Sequence, residues 1–323
     1  SVVVVPRVLV GRSAGRTWLT RVQTAGPESR SVITLEDRSY PTAQAAPLPP
    51  HAVAWDDDAD REAHFGRTVA ATLDRIGAGE VDKVVLARDL TATITGPLDA
   101  RHVMGQLSID YPECWTFSVS SLIGATPELL VRRVGHEVTS RVLAGTVRRG
   151  GPGADDAEAA ALLGSDKDLV EHEYAVQSVA DALATHCTDL KVPARPDVLR
   201  LANVQHLATD VSGQLADTVP ALALAASLHP TAAVCGTPTE RAWDVIRSEE
   251  SMHRGRYAGP VGWFDANGDG EFGIALRCGE VDTDRGTVRI FAGCGIVAGS
   301  TPEAEITEST AKFAAMRSAL QPR

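Results

Sequence analysis

Apolar and polar positions change period several times along the chain. From Asp57 to about Gly79 the apolar residues recur at helical spacing and predict an amphipathic helix; VDKVVLARDL then opens a β-run from Lys83 to Thr95. A helix over Ala100 to about Ile109 follows, and Cys114 to Val131 reads as two strands around a turn at Gly124. Another strand pair reaches Gly145 before the glycine-rich turn RRGGPG. Beyond it the pattern predicts helices from about Ala154 to Leu163 and from Asp166 to Cys187, short strands near Leu199 and His206, and helices at about 219–227 and 239–250. A β-rich block beginning YAGPVGW leads to a closing helix at about 302–320. Hairpin-like groups of strands separated by helices predict an α+β fold and not a βαβ alternation. SVVVVPRVLV lacks a charged n-region and a cleavage pattern, so it reads as an opening strand and not a signal, and PTAQAAPLPPHA over 41–52 reads as a connector.

Composition narrows the classes. With 323 residues, 44% of them hydrophobic, the chain can bury a large core. A formal net charge of -11 and the lack of any Lys/Arg run argue against nucleic acid as a partner. An anionic ligand needs a locally positive pocket. The five cysteines form no C-x-x-C pair, which fits neither a disulfide framework nor a zinc site and points to a reducing cytoplasm. No stretch reaches the roughly 18 uninterrupted apolar residues of a membrane span.

Several segments carry candidate chemistry. DANGDGEFGIAL places Asp265, Asn267 and Asp269 like calcium-loop ligands, but Leu276 stands where a bidentate Glu is needed and strands flank it, so a hairpin turn is expected. In AGCGIVAGS, glycines 293, 295 and 299 lie too near the C-terminus for a dinucleotide-binding unit; a loop and a helix start at Ser300-Thr-Pro-Glu303 that offer N–H groups to a carboxylate are the better expectation. Lys83 sits between valines. The default is a strand-end lysine whose ammonium reaches water; a lysine enclosed by apolar groups can instead act as a base. Glu128 in GATPELLV has a surface glutamate as its default reading. On the helix that begins SDKDLVEHEYAV, His172 shares the apolar stripe of Leu169, Val176, Val179 and Leu183 and is expected to be a hydrogen-bonded core histidine. Glu171 falls on a stripe with Ala175, Ser178 and Ala182, whose small side chains leave space above the carboxylate. On the closing helix Ile306, Phe313, Met316 and Leu320 form the apolar stripe, with Glu305, Glu308 and Lys312 on another side. Glu308 and Lys312 have the spacing of an ordinary surface ion pair; if both carboxylate faces met, a hard cation such as magnesium would be needed between them.

Read in order, KVVLAR, GATPELLV, LAGT, DKDLVEHEYAV, VQHLAT, HPTAAVCGTP, RYAGPVGW, IALRC, FAGCGIV and EITESTAK resemble the chorismate-utilising enzymes, isochorismate synthases most closely, over roughly residues 55–320. The resemblance implies a large single α+β domain with two β-sheets packed together and helices outside. Residues 53–323 would form its catalytic body, and the strands and connector of residues 1–52 would belong to the same domain. It implies Lys83 as the general base that activates water and Glu128 as the general acid. Glu171 and Glu308 would hold Mg²⁺, with Glu305 helping through water. Arg277, Gly293 and Gly295 would bind the enolpyruvyl carboxylate, Gly145, Thr146, His206 and Lys312 would line the ring-carboxylate end, and Ala233, Tyr257 and Leu276 would flank the pocket.

Chorismate loses a hydroxyl at C4 while water adds at C2, so one group must take a proton and another must give one. Ammonia-using relatives usually carry a threonine at the position of Ala233, which places this chain beside the water-using branch. Salicylate synthases, which go on to eliminate pyruvate, share that branch and are the alternative, ahead of an anthranilate or aminodeoxychorismate synthase component and of a catalytically silent chorismate-binding protein. The implied protein is cytoplasmic and monomeric, with chorismate as its small-molecule partner and no obligatory protein partner.

Overall fold

A computed structural model of the chain describes residues 2–13, 15–22, 45–56, 59–151 and 153–322. Residues 23–44, which include the start of the proline-rich connector, and Asp57, where the first helix was expected to begin, lie outside the described residues. The chain divides into two compact units, residues 1–46 and 47–323.

In the first unit β1 (Val8–Ser13) and β2 (Arg16–Arg21) form an antiparallel hairpin with Val10 opposite Leu19. The expected opening strand is thus shorter than the apolar run: residues 2–6 carry no strand, because Pro6 has no N–H to give to a ladder.

The second unit contains, in chain order, β3 (Ala52–Trp55), α1 (Ala59–Gly77), β4 (Lys83–Thr95), α2 (Ala100–Asp110), β5 (Trp115–Val119), β6 (Leu122–Thr126), β7 (Leu129–Val134) and β8 (Glu137–Arg148). Next come α3 (Asp155–Leu163), α4 (Asp166–Ala184), β9 (Asp197–Arg200), β10 (Val204–Gln214), α5 (Ala221–Leu228), β11 (Gly236–Thr237) and α6 (Thr239–Glu249). The chain closes with β12 (Pro260–Phe264), β13 (Gly270–Ile274), β14 (Cys278–Asp282), β15 (Thr287–Val297) and α7 (Pro302–Ala319). The strands make two antiparallel sheets: a six-stranded one in the order β12-β13-β7-β8-β10-β9, and a seven-stranded one in the order β11-β4-β15-β14-β6-β5 with β3 also on β4. This is the expected α+β architecture.

Strand alternation explains where the site can form. Val84, Leu86 and Leu90 of β4 pack outward against helices: the first two join Phe65 and Val69 of α1 and Val245 of α6, and Leu90 joins Leu107 of α2 and Phe313 of α7. Ala87 and Phe291 turn the other way and share a buried cluster with Val131, Val142 and Phe272 of the six-stranded sheet and Val179 of α4. With a period of two, Lys83 and Val85 take the face of Ala87, and Gly293 and Gly295 take the face of Phe291. All four therefore point into the space between the sheets.

One sequence expectation fails for a steric reason. The chain does not turn at Gly124; it reverses at Ser120, in the left-handed region at φ 53, and three strands rather than two fill the segment. Gly124 lies inside β6 between Phe117 and Cys278, where a Cβ would stand 2.6 Å from the Cys278 Cβ, so the glycine serves close strand approach. Gly124→Ala should accordingly destabilise the protein by about 1–3 kcal/mol, read as a lower urea midpoint at unchanged m; a turn glycine with open space would show no such overpacking cost.

Candidate active site

Lys83 opens β4, paired with Thr237 on one side and Val297 on the other, and its side chain is 0% exposed. The default reading of an ammonium that reaches water therefore fails. Its Nζ instead donates to the backbone oxygen of Glu171 at 3.1 Å and lies 3.5 Å from Glu171 Oε1. Burial lowers the Lys83 pKa, against the pull of Glu171 and then Glu128. Glu128 follows the Pro127 turn between β6 and β7 and is 3% exposed, so the surface reading fails there as well. Burial raises its carboxyl to about 8, with Lys83, Lys312 and Arg277 opposing. An amine inclined to lose its proton and a carboxyl inclined to keep one thus sense each other inside one buried region.

Two helices bring three carboxylates beside them. Glu171 projects from α4 and Glu305 and Glu308 from α7, and each has a lysine: Lys83 for Glu171, Lys167 for Glu305 at 2.7 Å, and Lys312 for Glu308 at 2.6 Å. Burial, followed by repulsion from Glu308, raises Glu305, while Glu171 is raised by burial first. Glu308 is held down because Lys312 and Lys167 together outweigh its burial. The i,i+4 pair of Glu308 and Lys312 is only 11% and 15% exposed, unlike the surface decoration its spacing resembles. Among the described residues no three acidic, His or Cys side chains form a ready-made metal cage. Yet the second oxygens of Glu171 and Glu305 are buried without any hydrogen-bond partner, so a hard divalent cation fits the donor set.

Every residue that the resemblance assigns to the substrate, from Gly145 to Lys312, lines one cavity together with Glu128 and Glu171. Lys83, Glu305 and Glu308 stand behind this lining. Arg277 is 8% exposed and held in the left-handed region at φ 47, and its Nη2 donates to His206 Nε2 at 2.8 Å. The other ring nitrogen meets Thr146 Oγ1 at 3.0 Å and the Gly145 carbonyl at 3.4 Å. Burial and then Arg277 lower the His206 pKa well below its ordinary value, so the ring is neutral and carries its proton on Nδ1, the nitrogen facing those two oxygens. Tyr257 stacks on Phe291 with ring centroids 5.1 Å apart. A Cβ on Gly295 would fall 2.2 Å from Glu171 Oε1 and 2.9 Å from Lys83 Cε, and one on Gly293 would meet Tyr257 Oη at 2.9 Å. Both glycines leave volume to the groups that face them.

Two expectations are resolved elsewhere on these elements. Gly293 and Gly295 belong to β15 and not to a loop, and the start of α7 is capped from within: Thr301 Oγ1 accepts from the Ala304 N–H and Ser300 Oγ from the Val297 N–H. That cap takes one of the N–H groups that the helix start was expected to offer. The DANGDG segment is the β12–β13 hairpin turn, with Asp265 Oδ1 accepting from the Asn267 and Asp269 N–H groups, and His172 is buried against Thr209 Oγ1 at 2.7 Å, both as expected. Arg254, which lines the cavity, and Lys167 had not been singled out in the sequence. Their available signals were spacings alone, Glu250 to Arg254 and Lys167 to Glu171 at i,i+4.

A family model described as "Chorismate binding enzyme" matches residues 1–321, and the chain belongs to that family. The chain is 42% identical over 261 residues to isochorismate synthase DhbC of Bacillus subtilis (strain 168), across 77% of this chain and 65% of that protein's length. Among solved structures, DhbC from Bacillus anthracis superposes with a TM-score of 0.79 at 38% identity, covering 84% of this chain and 76% of that one. MenF, the menaquinone-specific isochorismate synthase from Escherichia coli, gives 0.75 at 29%, covering 86% and 66%.

The Glu128 carboxyl makes stability depend on pH with a defined sign. Between its ordinary 4.5 and about 8 the folded chain holds a proton that the unfolded chain has released, so wild-type stability falls as pH rises through that window. Glu128→Gln, fixed in the neutral state, should gain on the wild type between pH ~5 and pH ~9 in urea unfolding, and a pH-independent difference would show the carboxyl to be ionised throughout.

Proposed function

We propose that the protein is an isochorismate synthase, acting on chorismate by adding water at C2 and releasing the C4 hydroxyl. The observation that carries this reading is the enclosure of Lys83 and Glu128, 0% and 3% exposed, beside one cavity, where burial pushes the lysine down and the carboxyl up. Lys83 takes a proton from the attacking water, and Glu128, protonated near neutral pH, gives its proton to the departing hydroxyl. Arg277 supplies a positive charge to a substrate carboxylate, since its hydrogen bond goes to the neutral His206 and not to an acid. Lys312, which donates to the Gly293 carbonyl at 2.8 Å, would meet the other carboxylate. Tyr257, Ala233 and Leu276 enclose the ring and limit water.

Glu171 and Glu308, with Glu305, are the residues to hold Mg²⁺, which when bound would draw electron density from the ring through its carboxylate. The exclusively oxygen donors and the orphaned oxygens of Glu171 and Glu305 support this assignment. Five free cysteines, three of them buried, suit a reducing cytoplasm, where the enzyme would work as a monomer without an obligatory partner. Among the described residues no helix is long and apolar enough to cross a membrane.

Incubation with chorismate and Mg²⁺ tests the reading. Isochorismate accumulating alone is the expected result. Salicylate with stoichiometric pyruvate would reassign the protein to the salicylate synthases, and product formed only with ammonia would move it to the aminating branch. Lys83→Ala and Glu128→Ala should each lower kcat by about 10²–10⁴-fold, the usual contribution of a positioned acid or base. The high-pH limb of the wild-type rate profile should follow Glu128 near pH 8. Calorimetric titration of Glu308→Ala with Mg²⁺ should show affinity weakened at least about tenfold; an unaltered isotherm would remove that residue from the metal site.

A further inference from the structure

The strand that bears Lys83 is incompletely covered. On the side of β4 away from β15, β11 pairs with Lys83 and Val84, and β3 pairs with residues from Ala92 to Thr95; among the described residues no strand lies alongside between them. The Val85 N–H still donates to the Cys235 carbonyl at 2.8 Å and the Thr91 carbonyl accepts from the Asp56 N–H at 2.9 Å, but two backbone groups between them are taken by side chains. Glu250 accepts from the Ala87 N–H at 2.8 Å, and Arg254 Nη2 donates to the Val85 carbonyl at 2.7 Å. Arg254 Nη1 donates to the Val234 carbonyl at 2.8 Å, and the same guanidinium clasps Glu250 through Nε, at 2.9 Å, and Nη2. The two side chains are 3% and 11% exposed. One planar fork therefore bridges the β4 edge two residues beyond Lys83 and the stretch with Ala233 and Val234 that forms a wall of the cavity.

We propose that Glu250 and Arg254 are positioning residues for the reaction: a side-chain clamp that stands in for a missing strand and fixes the edge carrying Lys83 against the cavity wall of Ala233 and Val234. A buried ion pair adds little net stability over an apolar pair of similar volume. Its geometry, three backbone partners on two chain segments, is what an apolar pair could not reproduce. Arg254 also lines the cavity, but the hydrogen bonds of the clamp go to Val85, Ala87 and Val234 and not to Arg277 or Lys312, the groups proposed to hold the substrate carboxylates. Loosening it should therefore disturb the attitude of the base more than substrate capture, and a displacement of about 1 Å there is worth about a hundredfold in rate.

The activity readout rests on the proposed reaction; a second readout does not. Arg254→Lys keeps the charge beside Glu250 but cannot span the same partners, and Glu250→Gln combined with Arg254→Met removes both charges, so neither variant leaves a buried charge alone. For both, kcat with chorismate and Mg²⁺ should fall about 10- to 100-fold while KM stays within about threefold. Amide exchange over residues 83–90 and 231–238 should quicken at least about tenfold in folded protein. Unchanged kcat in either folded variant, a rise in KM with kcat preserved, or unchanged exchange at Val85 and Ala87 would overturn the proposal. If the wild type leaves chorismate unconverted, the functional reading fails by itself and the exchange experiment alone decides on the clamp.

Discussion

The site is organised by the removal of Lys83 from water. Each buried charge costs several kcal/mol of lost hydration, and the pair with Glu171 does not recover this through a short, fully aligned contact, since Nζ and Oε1 are 3.5 Å apart. Stability does not account for the arrangement, whereas the base proposed for Lys83 would gain from it, because the same desolvation shifts the lysine toward its neutral form. The cost is limited by the way lysines are allotted. Glu171, Glu305 and Glu308 each have one, while Glu128 has none in direct contact and resolves its burial by holding a proton. Burial raises Glu171 and Glu305 as well, and of the three only Glu308 is held down, by Lys312 and then Lys167 against its burial.

This allotment bears on how a chain of net charge -11 would receive the anionic substrate proposed for it. Glu171, Glu305 and Glu308 each lie against a lysine, and Arg277 donates to an uncharged imidazole, so that bond leaves its charge uncompensated. The backbone cooperates by omission. Gly295 has no Cβ where one would strike Glu171 at 2.2 Å, and strand alternation brings Lys83 and Gly295 to the same inner face from β4 and β15, which are paired throughout this region. A two-residue period on two adjacent strands, one glycine and one helix face are enough to enclose the amine.

Much of the framework was legible in local pattern. Lys83 to Thr95 emerged as a strand with the observed limits, and the wheel of α4 correctly separated the apolar stripe of His172 from the small-residue stripe of Glu171. What escaped depended on partners distant in sequence. The local default for Lys83 pointed to water, because the groups that bury it come from α4 and β15, the latter more than two hundred residues away. The local sequence predicts a turn at Gly124 because glycine serves both to reverse a chain and to let strands approach, and only the nearness of Cys278 distinguishes the uses. Arg254 carries in sequence only its i,i+4 spacing from Glu250: its other acceptors are backbone oxygens, which every residue possesses.

The nine residues of AEITESTAK sharpen the point. Glu308 and Lys312 have the i,i+4 spacing that stabilises any solvated helix by a few tenths of a kcal/mol, and nothing within those residues contradicts that use. In the folded chain Glu305, one turn before, is completely enclosed and paired with Lys167 of α4, a contact between helices that no solvated face would make. Once α4 lies there, the spacing acquires a different consequence. Lys312 draws Glu308 to one side while Lys167 draws Glu305 to the other, and the unpartnered oxygen of Glu305 is fixed in the interior by its neighbour's attachment. The function of a charged motif is therefore decided by the element packed against it, and here that element carries the carboxylate, Glu171, that Lys83 needs.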